Sequence, residues 1–191
     1  MRVIIKHLVL YFLYLKAKIK YRSVVRFNGY CVIYAHRGSK IDISERGGVI
    51  INNTTTSNLV GIPHCSVLSC RDGGVIKIGS GVGISGSTIY ALSSITLEDN
   101  VIIGSGCKII DNDFHPLEPS KRINQKDCDI KRAPIIIGES TFIGMNSIIL
   151  KGTKIGKRCV VGAGSVVHGT FPDDVIIAGN PAKIIKYIEN E

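Results

Sequence analysis

The usual metal-binding signatures are absent from this chain of 191 residues. The six cysteines form no C-x-x-C pair and no zinc-ligand spacing, and the five histidines form neither H-x-x-x-H nor H-E-x-x-H. We therefore predict no metal site. The cysteines are interpreted as small apolar residues, with Cys107 and Cys159 facing a core, which fits a reducing, cytoplasmic environment.

Features of membrane-spanning and secreted chains are missing as well. The apolar run from Leu8 to Leu15 has eight residues, whereas a helix needs about twenty to span a bilayer. No small-residue cleavage site follows this run, which argues against a signal peptide. The Gly-rich segments at 79–87 and 162–165 lack G-x-x-x-x-G-K-S/T, so a nucleotide-binding loop is not predicted.

Acidic residues are absent from residues 1–40, which hold nine Lys or Arg. The rest of the chain holds fifteen basic and fifteen acidic residues, so the net charge of +9 resides in this segment. The sequence predicts a basic N-terminal arm, residues 1–40, attached to a neutral domain. Nucleic acid is not an expected partner, because no reading motif or aromatic platform accompanies the charge.

Tryptophan is also absent, while 21 glycines and many Ile and Val residues favour short strands and tight turns. From Ile137 the chain divides into sixes: "IGESTF", "IGMNSI", "ILKGTK", "IGKRCV", "VGAGSV" and "VHGTFP". An aliphatic residue opens each unit, and the fifth place holds a small residue in the first five. The same register appears from Ile78 and from Leu97.

A period of six suits a triangular solenoid, in which six residues form one short strand and one corner. The aliphatic residue then points to the axis, and the small fifth residue fits inside near the corner. Three units complete a coil of eighteen residues. We expect an all-β solenoid domain over residues 41–177, a loop inserted at 115–134 and a C-terminal tail or helix at 178–191.

The tandem I-G-x-x-S/T-x pattern resembles the hexapeptide repeat of the left-handed β-helix acyltransferases. "GNPAKIIK" at 179–186 is similar to the ending of maltose, galactoside and capsule-type sugar O-acetyltransferases. The resemblance implies a left-handed parallel β-helix with short N- and C-terminal helices, a homotrimer, and acetyl-CoA as donor in a groove between subunits. The residues it places along that groove are Gly144, Met145, Ala163 and Gly164 through their backbone, with Lys183 and Lys186 near the phosphates. His168–Gly169 departs from the Thr–Lys pair of many relatives, which removes one basic contact to coenzyme A.

The motif "DNDFHP" at 111–116 overlaps the end of the repeat unit "IIDNDF". His115 directly follows this unit and begins the one long insertion that the sequence indicates. In a strand Asp111, Asp113 and His115 would share one face. The resemblance places His115 at the family's catalytic histidine, and an imidazole can take a proton from a sugar hydroxyl. Asp113 or a backbone carbonyl would then orient the ring.

The acceptor is expected near this motif. Asn112 and Arg122 are candidate contacts, although the basic residues of the insertion could equally be solvated loop charges or face the phosphates of coenzyme A. Galactoside-type relatives hold the acceptor with an Asn one coil before the histidine, and the nearest residues here are Ser85 and Ser87.

The arm has two interpretations. As a helix it would place Ile4, Leu8, Phe12, Leu15 and Ile19 on one face. That helix would cover the open end of the solenoid or a neighbouring subunit, or residues 1–26 would bind peripherally to anionic membrane.

These features favour an enzyme that transfers an acetyl group from acetyl-CoA to a sugar hydroxyl, with a polysaccharide precursor as acceptor. Two alternatives stay open: acetylation of an amine on an amino sugar, amino acid or antibiotic, and a non-catalytic β-solenoid scaffold. The scaffold would expose flat arrays of Thr, whereas the fifth-place residues here are predicted to face inward.

Overall fold

The computed structural model describes residues 2–123 and 130–189, with side chains from Leu8 onward, and this part of the chain forms three β-sheets and two helices. Every third strand along the chain joins the same sheet, and neighbouring strands are parallel except for the last one. Each coil therefore contributes one strand to each face of a triangular solenoid. The expectation of an all-β chain built from parallel sheets is confirmed.

The strands are assigned to the sheets as follows. The first sheet contains β1 (Val25–Asn28), β4 (Val49–Asn52), β7 (Gly83–Ser85), β10 (Ile102–Ile103), β13 (Phe142–Ile143), β16 (Val160–Val161), β19 (Val175–Gly179) and β20 (Ala182–Tyr187). The second contains β2 (Val32–Ala35), β5 (Val67–Cys70), β8 (Thr88–Ala91), β11 (Lys108–Ile110), β14 (Ile148–Leu150) and β17 (Val166–Val167). The third contains β3 (Lys40–Ile43), β6 (Val75–Ile78), β9 (Ser94–Leu97), β12 (Ile135–Ile137), β15 (Lys154–Ile155) and β18 (Thr170–Phe171).

The core follows the six-residue repeat. The aliphatic residues that open the units are buried on the solenoid axis, and successive coils stack them in register, as Ile103, Ile143 and Val161 show. The small fifth-place residues are buried too, which confirms that they face inward. Their hydroxyl groups donate to corner carbonyls that lack a strand partner, for example Thr141 to Gly156 O at 2.9 Å and Ser165 to Gly162 O at 2.6 Å. The buried fifth-place residues are Thr141, Ser147, Thr153, Cys159 and Ser165.

Helix α1 (Arg2–Lys20) covers the N-terminal end of the solenoid. Ala17 and Tyr21 are buried in the core, and the Tyr21 hydroxyl donates to Ile41 O at 3.1 Å. The solenoid begins at Val25, so the arm is shorter than the predicted 1–40. The side chain of Ile4 lies outside the described part, and the other residues of the predicted apolar face point away from the core. No helix in the described residues is long and apolar enough to cross a membrane.

Two connections differ from the sequence-based expectation. Residues 182–187 form strand β20, antiparallel to β19, so the predicted C-terminal helix is wrong. Because β19 ends the first sheet, an antiparallel return strand satisfies backbone groups that a helix would leave unpaired. A second insertion, residues 53–66, joins β4 to β5. The predicted insertion contains the short helix α2 (Pro119–Ile123), and its residues 124–129 lie outside the described part.

Candidate active site

His115 lies at the corner between the second and third sheets, which we call the histidine corner (residues 111–115). Its backbone N–H donates to Asp113 O at 2.7 Å, and its side chain is exposed. Phe114 adopts φ +59°, a conformation that the Asn112 side chain stabilises by accepting the Phe114 N–H at 3.0 Å. The Phe114 ring packs on Tyr90 at 5.1 Å between centroids. This tight turn holds the imidazole outside the solenoid, where a substrate can reach it.

Asp113 is held by a lysine from the next coil. Its Oδ1 lies 2.5 Å from the Lys151 ammonium, and its Oδ2 is buried without a hydrogen-bond partner in the described part of the chain. One carboxylate oxygen is thus fixed by the lysine, while the other is buried with an unused hydrogen-bonding capacity. Sequence reasoning missed Lys151, although the eighteen-residue coil predicts which segments stack on the histidine corner once the length of the insertion is known.

Asp111 does not belong to the exposed polar surface. It is fully buried, and its two oxygens accept the backbone N–H groups of Leu92 and Ser93, each at 2.8 Å. Asp111 therefore closes the corner of the preceding coil. Arg132, from the insertion, donates to Leu92 O at 2.8 Å at the same corner. Its guanidinium group therefore hydrogen-bonds to the solenoid backbone.

Two of the predicted acceptor contacts, Asn112 and Ser87, have side chains that are buried in the solenoid, which argues against contact with an acceptor. Asn112 is 5% exposed, and its amide donates to Asp111 and accepts from Phe114. Ser87 is fully buried, and its hydroxyl donates to Ser85 O and Gly104 O, each at 2.8 Å. Thr88 pairs with Lys108, so Ser87 lies at the corner position that buried Cys107 holds in the next coil, which explains its inward orientation.

The other two predicted acceptor contacts, Ser85 and Arg122, differ in how exposed their polar groups are. Ser85 is partly exposed on the outer face of β7. The Arg122 guanidinium donates to Pro116 O at 3.1 Å and Leu117 O at 2.5 Å, so it stabilises the start of the insertion. This geometry does not test whether Ser85 or Arg122 contacts an acceptor, so both roles stay predictions.

A row of glycines marks the corner between the first and second sheets, the glycine corner (residues 104–107, 144–147 and 162–165). A Cβ on Gly104 would lie 2.7 Å from Met145 N, and one on Gly144 would lie 2.6 Å from Ala163 N. Only glycine lets the coils stack this closely, and the result is a surface formed by backbone. Backbone groups at such a surface can contact a ligand directly.

An apolar groove of about 340 Å³ follows this row. Met145, Ala163 and Gly144 line it, whereas Gly164 does not. Whether these residues contact coenzyme A stays a prediction. Asn58 and Val60 from the 53–66 insertion form one wall, which the sequence did not reveal. This insertion is fixed to the corner by Ser105, whose hydroxyl donates to Gly61 O at 2.6 Å.

The predicted phosphate contacts lie on the same sheet as the groove. Lys183 and Lys186 are exposed on β20, and Lys183 pairs with Ala178, which stands beside Gly162 at the end of the glycine row. The groove and these lysines therefore share one face of the solenoid. His168, at the departure from the family's Thr–Lys pair, is exposed beyond β17.

The glycine corner also carries a histidine–lysine pair that has no sequence signal. The Lys108 ammonium contacts Nε2 of His64, while Nδ1 of His64 lies 2.8 Å from Cys65 O. The Nδ1–H tautomer satisfies both contacts, because Nε2 then accepts from the ammonium. Burial lowers the pKa of Lys108. The pair anchors the 53–66 insertion to β11.

His115 and the groove are not brought together within one chain. They lie at different corners of the triangle, separated by the second sheet. No group of His, Cys, Asp and Glu suited to holding a metal occurs among the described residues.

The family model for the hexapeptide repeat of succinyl-transferase matches residues 134–168, which contain five of the six consecutive units. The fold aligns with a hexapeptide-repeat-containing acetyltransferase from Vibrio cholerae O1 biovar eltor, complexed with acetyl coenzyme A, at a TM-score of 0.59 and 25% identity. That alignment covers 80% of this chain and 72% of the other. The chain thus carries the repeat that this family model describes, and its fold is similar to that of a hexapeptide-repeat-containing acetyltransferase.

Two curated relatives show how much of this chain aligns with known acetyltransferases. The putative lipopolysaccharide biosynthesis O-acetyl transferase WbbJ of Escherichia coli is 33% identical over 108 residues, covering 54% of this chain and 55% of the relative. The 2,3,4,5-tetrahydropyridine-2,6-dicarboxylate N-acetyltransferase of Clostridium perfringens is 50% identical over 60 residues, covering 31% and 25%. The chain thus spans little more than half of the first relative's length and a quarter of the second's.

Proposed function

We propose that this protein transfers an acetyl group from acetyl-CoA to a hydroxyl of a sugar, with His115 as general base. The observation that carries the proposal is the pairing of an exposed histidine, held by a rigid turn, with a backbone-lined apolar groove on the same solenoid. The names of the O-acetyl transferase relative and of the acetyl-CoA complex support the donor and the reaction type. The relative's name also supports a cell-surface polysaccharide precursor as acceptor.

The reaction requires one proton to move twice. The His115 imidazole takes the proton of the acceptor hydroxyl while its oxygen attacks the thioester carbonyl carbon. The tetrahedral intermediate then collapses, the C–S bond breaks, and the imidazolium returns the proton to the departing thiolate. The products are the acetyl ester and free coenzyme A, so atoms and charges balance.

Asp113 is the proposed positioning residue for His115. Its free Oδ2 belongs to a carboxylate that Lys151 holds in place, only two residues before the histidine. In the reacting complex this oxygen would accept a hydrogen bond from the imidazole and stabilise the imidazolium. The ring makes no such contact in the structure, so this role requires the imidazole to turn towards Oδ2 during the reaction.

The donor is assigned to the groove. Its apolar walls suit the pantetheine arm, and the amide groups of the arm can bond the exposed backbone near Gly144 and Ala163. Gly164, at the edge of the same corner, is a further proposed backbone contact. Lys183 and Lys186, farther along the same sheet, would then face the phosphates of coenzyme A.

The separation of His115 from the groove leads us to infer a homotrimer of left-handed solenoids. In a closed threefold ring the histidine corner of each subunit faces the glycine corner of its neighbour, so each site takes groups from two chains. Ser85 and Arg122 are the remaining candidate contacts for the sugar.

The central test replaces His115 with Ala and follows thiol release from acetyl-CoA with a panel of sugars. We expect turnover to fall by about 10²- to 10⁴-fold, the usual contribution of general-base catalysis. Calorimetric binding of coenzyme A should be retained, because the groove lies elsewhere. Near-normal turnover in the variant would refute the role of His115, and failure of the wild type to bind coenzyme A would favour the scaffold.

A second candidate is acetylation of an amine. The segment that is 50% identical to an N-acetyltransferase favours it, although that segment covers only 31% of the chain. The same thiol-release assay with matched amino sugars and sugars distinguishes the two reactions. Preference for the amino sugar, with an amide as product, would replace the ester-forming proposal.

A further inference from the structure

Helix α1 presents large apolar side chains to solvent on the side that faces away from the solenoid. Leu8, Phe12, Leu15 and Ile19 follow one another at helical spacing, with exposures of 63%, 56%, 38% and 72%. A row of four exposed apolar residues on one helix is uncommon on a protein surface and marks an interaction site. The row is continuous over three turns of the helix.

The opposite side of the helix is fixed, so this face cannot turn inward. Ala17 and Tyr21 are buried in the core. Tyr14 packs edge-on against Phe27 at 6.2 Å and lies 5.3 Å from Tyr30 between ring centroids. The solenoid therefore holds the apolar row in a set orientation, and a partner meets a rigid surface.

The basic residues near the apolar row indicate which kind of partner would bind to it. The exposed basic residues at the end of the helix and just after it are Lys16, Lys18, Lys20, Arg22 and Arg26. The Lys16 ammonium lies 4.8 Å above the Phe12 ring, so a positive charge stands directly beside the apolar row. No acidic residue occurs before Asp42 to neutralise this surface.

An anionic lipid surface satisfies both features. Apolar side chains enter the boundary between headgroups and acyl chains, and Lys and Arg face the lipid phosphates. A second copy of the chain fits less well, since it would bring the same positive charges together. We propose that the outward face of α1 binds the surface of an anionic bilayer, with the helix lying in the plane of the membrane.

The test is flotation of the full-length chain with vesicles of phosphatidylglycerol and phosphatidylcholine, beside vesicles of phosphatidylcholine alone. We expect retention on the anionic vesicles, a loss at high salt and little retention on the neutral ones. Phe12→Glu combined with Ile19→Glu should weaken partitioning by about tenfold or more. Lys16→Gln combined with Lys20→Gln should weaken it by about tenfold while leaving the apolar row intact.

Matched control variants replace an exposed apolar residue and two exposed lysines at positions outside helix α1. Leu59→Glu changes a side chain that is 92% exposed in the 53–66 insertion, and Lys77→Gln with Lys154→Gln removes two exposed charges from the third sheet. These controls should float like the wild type. The proposal is wrong if wild type stays unbound, if helix variants and controls weaken equally, or if neutral vesicles bind as well. A change of oligomeric state in the Phe12/Ile19 variant, measured by sedimentation without lipid, would instead identify the face as a contact between copies.

Discussion

The Lys151 ammonium lies 2.5 Å from Oδ1 of Asp113, joining two coils of the solenoid two residues before His115. The side chains of the lysine and the aspartate are 28% and 17% exposed, so solvent screens the pair only in part. The contact connects the framework to the proposed catalytic histidine, because the same carboxylate has its second oxygen free.

Replacing Lys151 with Met should lower the free energy of unfolding by about 1–3 kcal/mol, because the Asp113 carboxylate would remain partly buried without its cation. Urea denaturation at neutral pH measures the change. Lys154→Met is the matched control, since Lys154 is exposed on β15 and its replacement should alter stability by less than about 0.5 kcal/mol. Equal effects for the two variants would show that the ion pair contributes nothing specific.

Asp111→Asn should also destabilise the fold, for a different reason. Both carboxylate oxygens of Asp111 accept backbone N–H groups in a fully buried corner. An amide offers one oxygen and one NH₂ group, so either the Leu92 or the Ser93 N–H loses its acceptor. We expect a loss of about 1–3 kcal/mol in urea denaturation. Binding of coenzyme A to the folded variant should be unchanged, and a stability equal to wild type would contradict this role.

The solenoid could be predicted from the sequence because the same six-residue pattern of aliphatic and small residues recurs in successive units. Ile137, Ile143 and Cys159 are buried where the six-residue period places them. The side-chain directions near the site were harder to predict, since they depend on corner geometry. Asn112 and Ser87 stand beside segments of the candidate site, yet both turn inward, where backbone groups at the corners need hydrogen-bond partners.

Contacts between insertions and the solenoid could not be predicted from the repeat. Val60 reaches the groove and His64 meets Lys108 only because the 53–66 insertion folds along the glycine corner. The Ile-rich segment 182–187 suits a helix or a strand by composition. The unpaired edge of β19 decides in favour of the strand.

Asp99 should make stability depend on acid pH. The Ser80 N–H at 2.8 Å, followed by Arg46, lowers the pKa of Asp99 from its ordinary value of 3.8. A carboxylate whose pKa is depressed in the folded state contributes stability that is fully present above the unfolded value and is lost as pH falls through the folded value. The melting temperature of Asp99→Asn should therefore lie below that of wild type near neutral pH, and the difference should close below pH 3.8.

The control for this titration is Asp42→Asn. Asp42 pairs with exposed Lys40 at 2.8 Å, an interaction that solvent screens, so its replacement should change the melting temperature little. Thermal unfolding followed by circular dichroism measures both series. A gap between Asp99→Asn and wild type that does not narrow as the pH falls below 3.8 would rule out the ionised carboxylate as its cause.

Filling the groove should block the donor without damaging the fold. Ala163 is exposed on the groove surface, so Ala163→Leu adds volume there and leaves the core unchanged. We expect the dissociation constant for coenzyme A to rise about tenfold or more, measured by calorimetry. Thr170→Leu adds a similar exposed side chain on the third sheet and should bind normally. Unaltered binding by Ala163→Leu would move the donor site away from this groove.

The separation of the two corners predicts that active sites form between chains. His115→Ala keeps an intact groove, and Ala163→Leu keeps an intact histidine. At an acetyl-CoA concentration well below the raised dissociation constant, each variant alone should turn over slowly. Random reassembly of equal amounts would give about a quarter of the sites one intact groove facing one intact histidine. Thiol release should then recover to about a quarter of the wild-type rate after the mixed chains are unfolded and refolded together. A double variant mixed with either single variant should stay inactive, because no interface then combines both intact groups. Absence of recovery in mixed trimers of the two single variants, verified by mass spectrometry, would show that His115 serves a groove on its own chain.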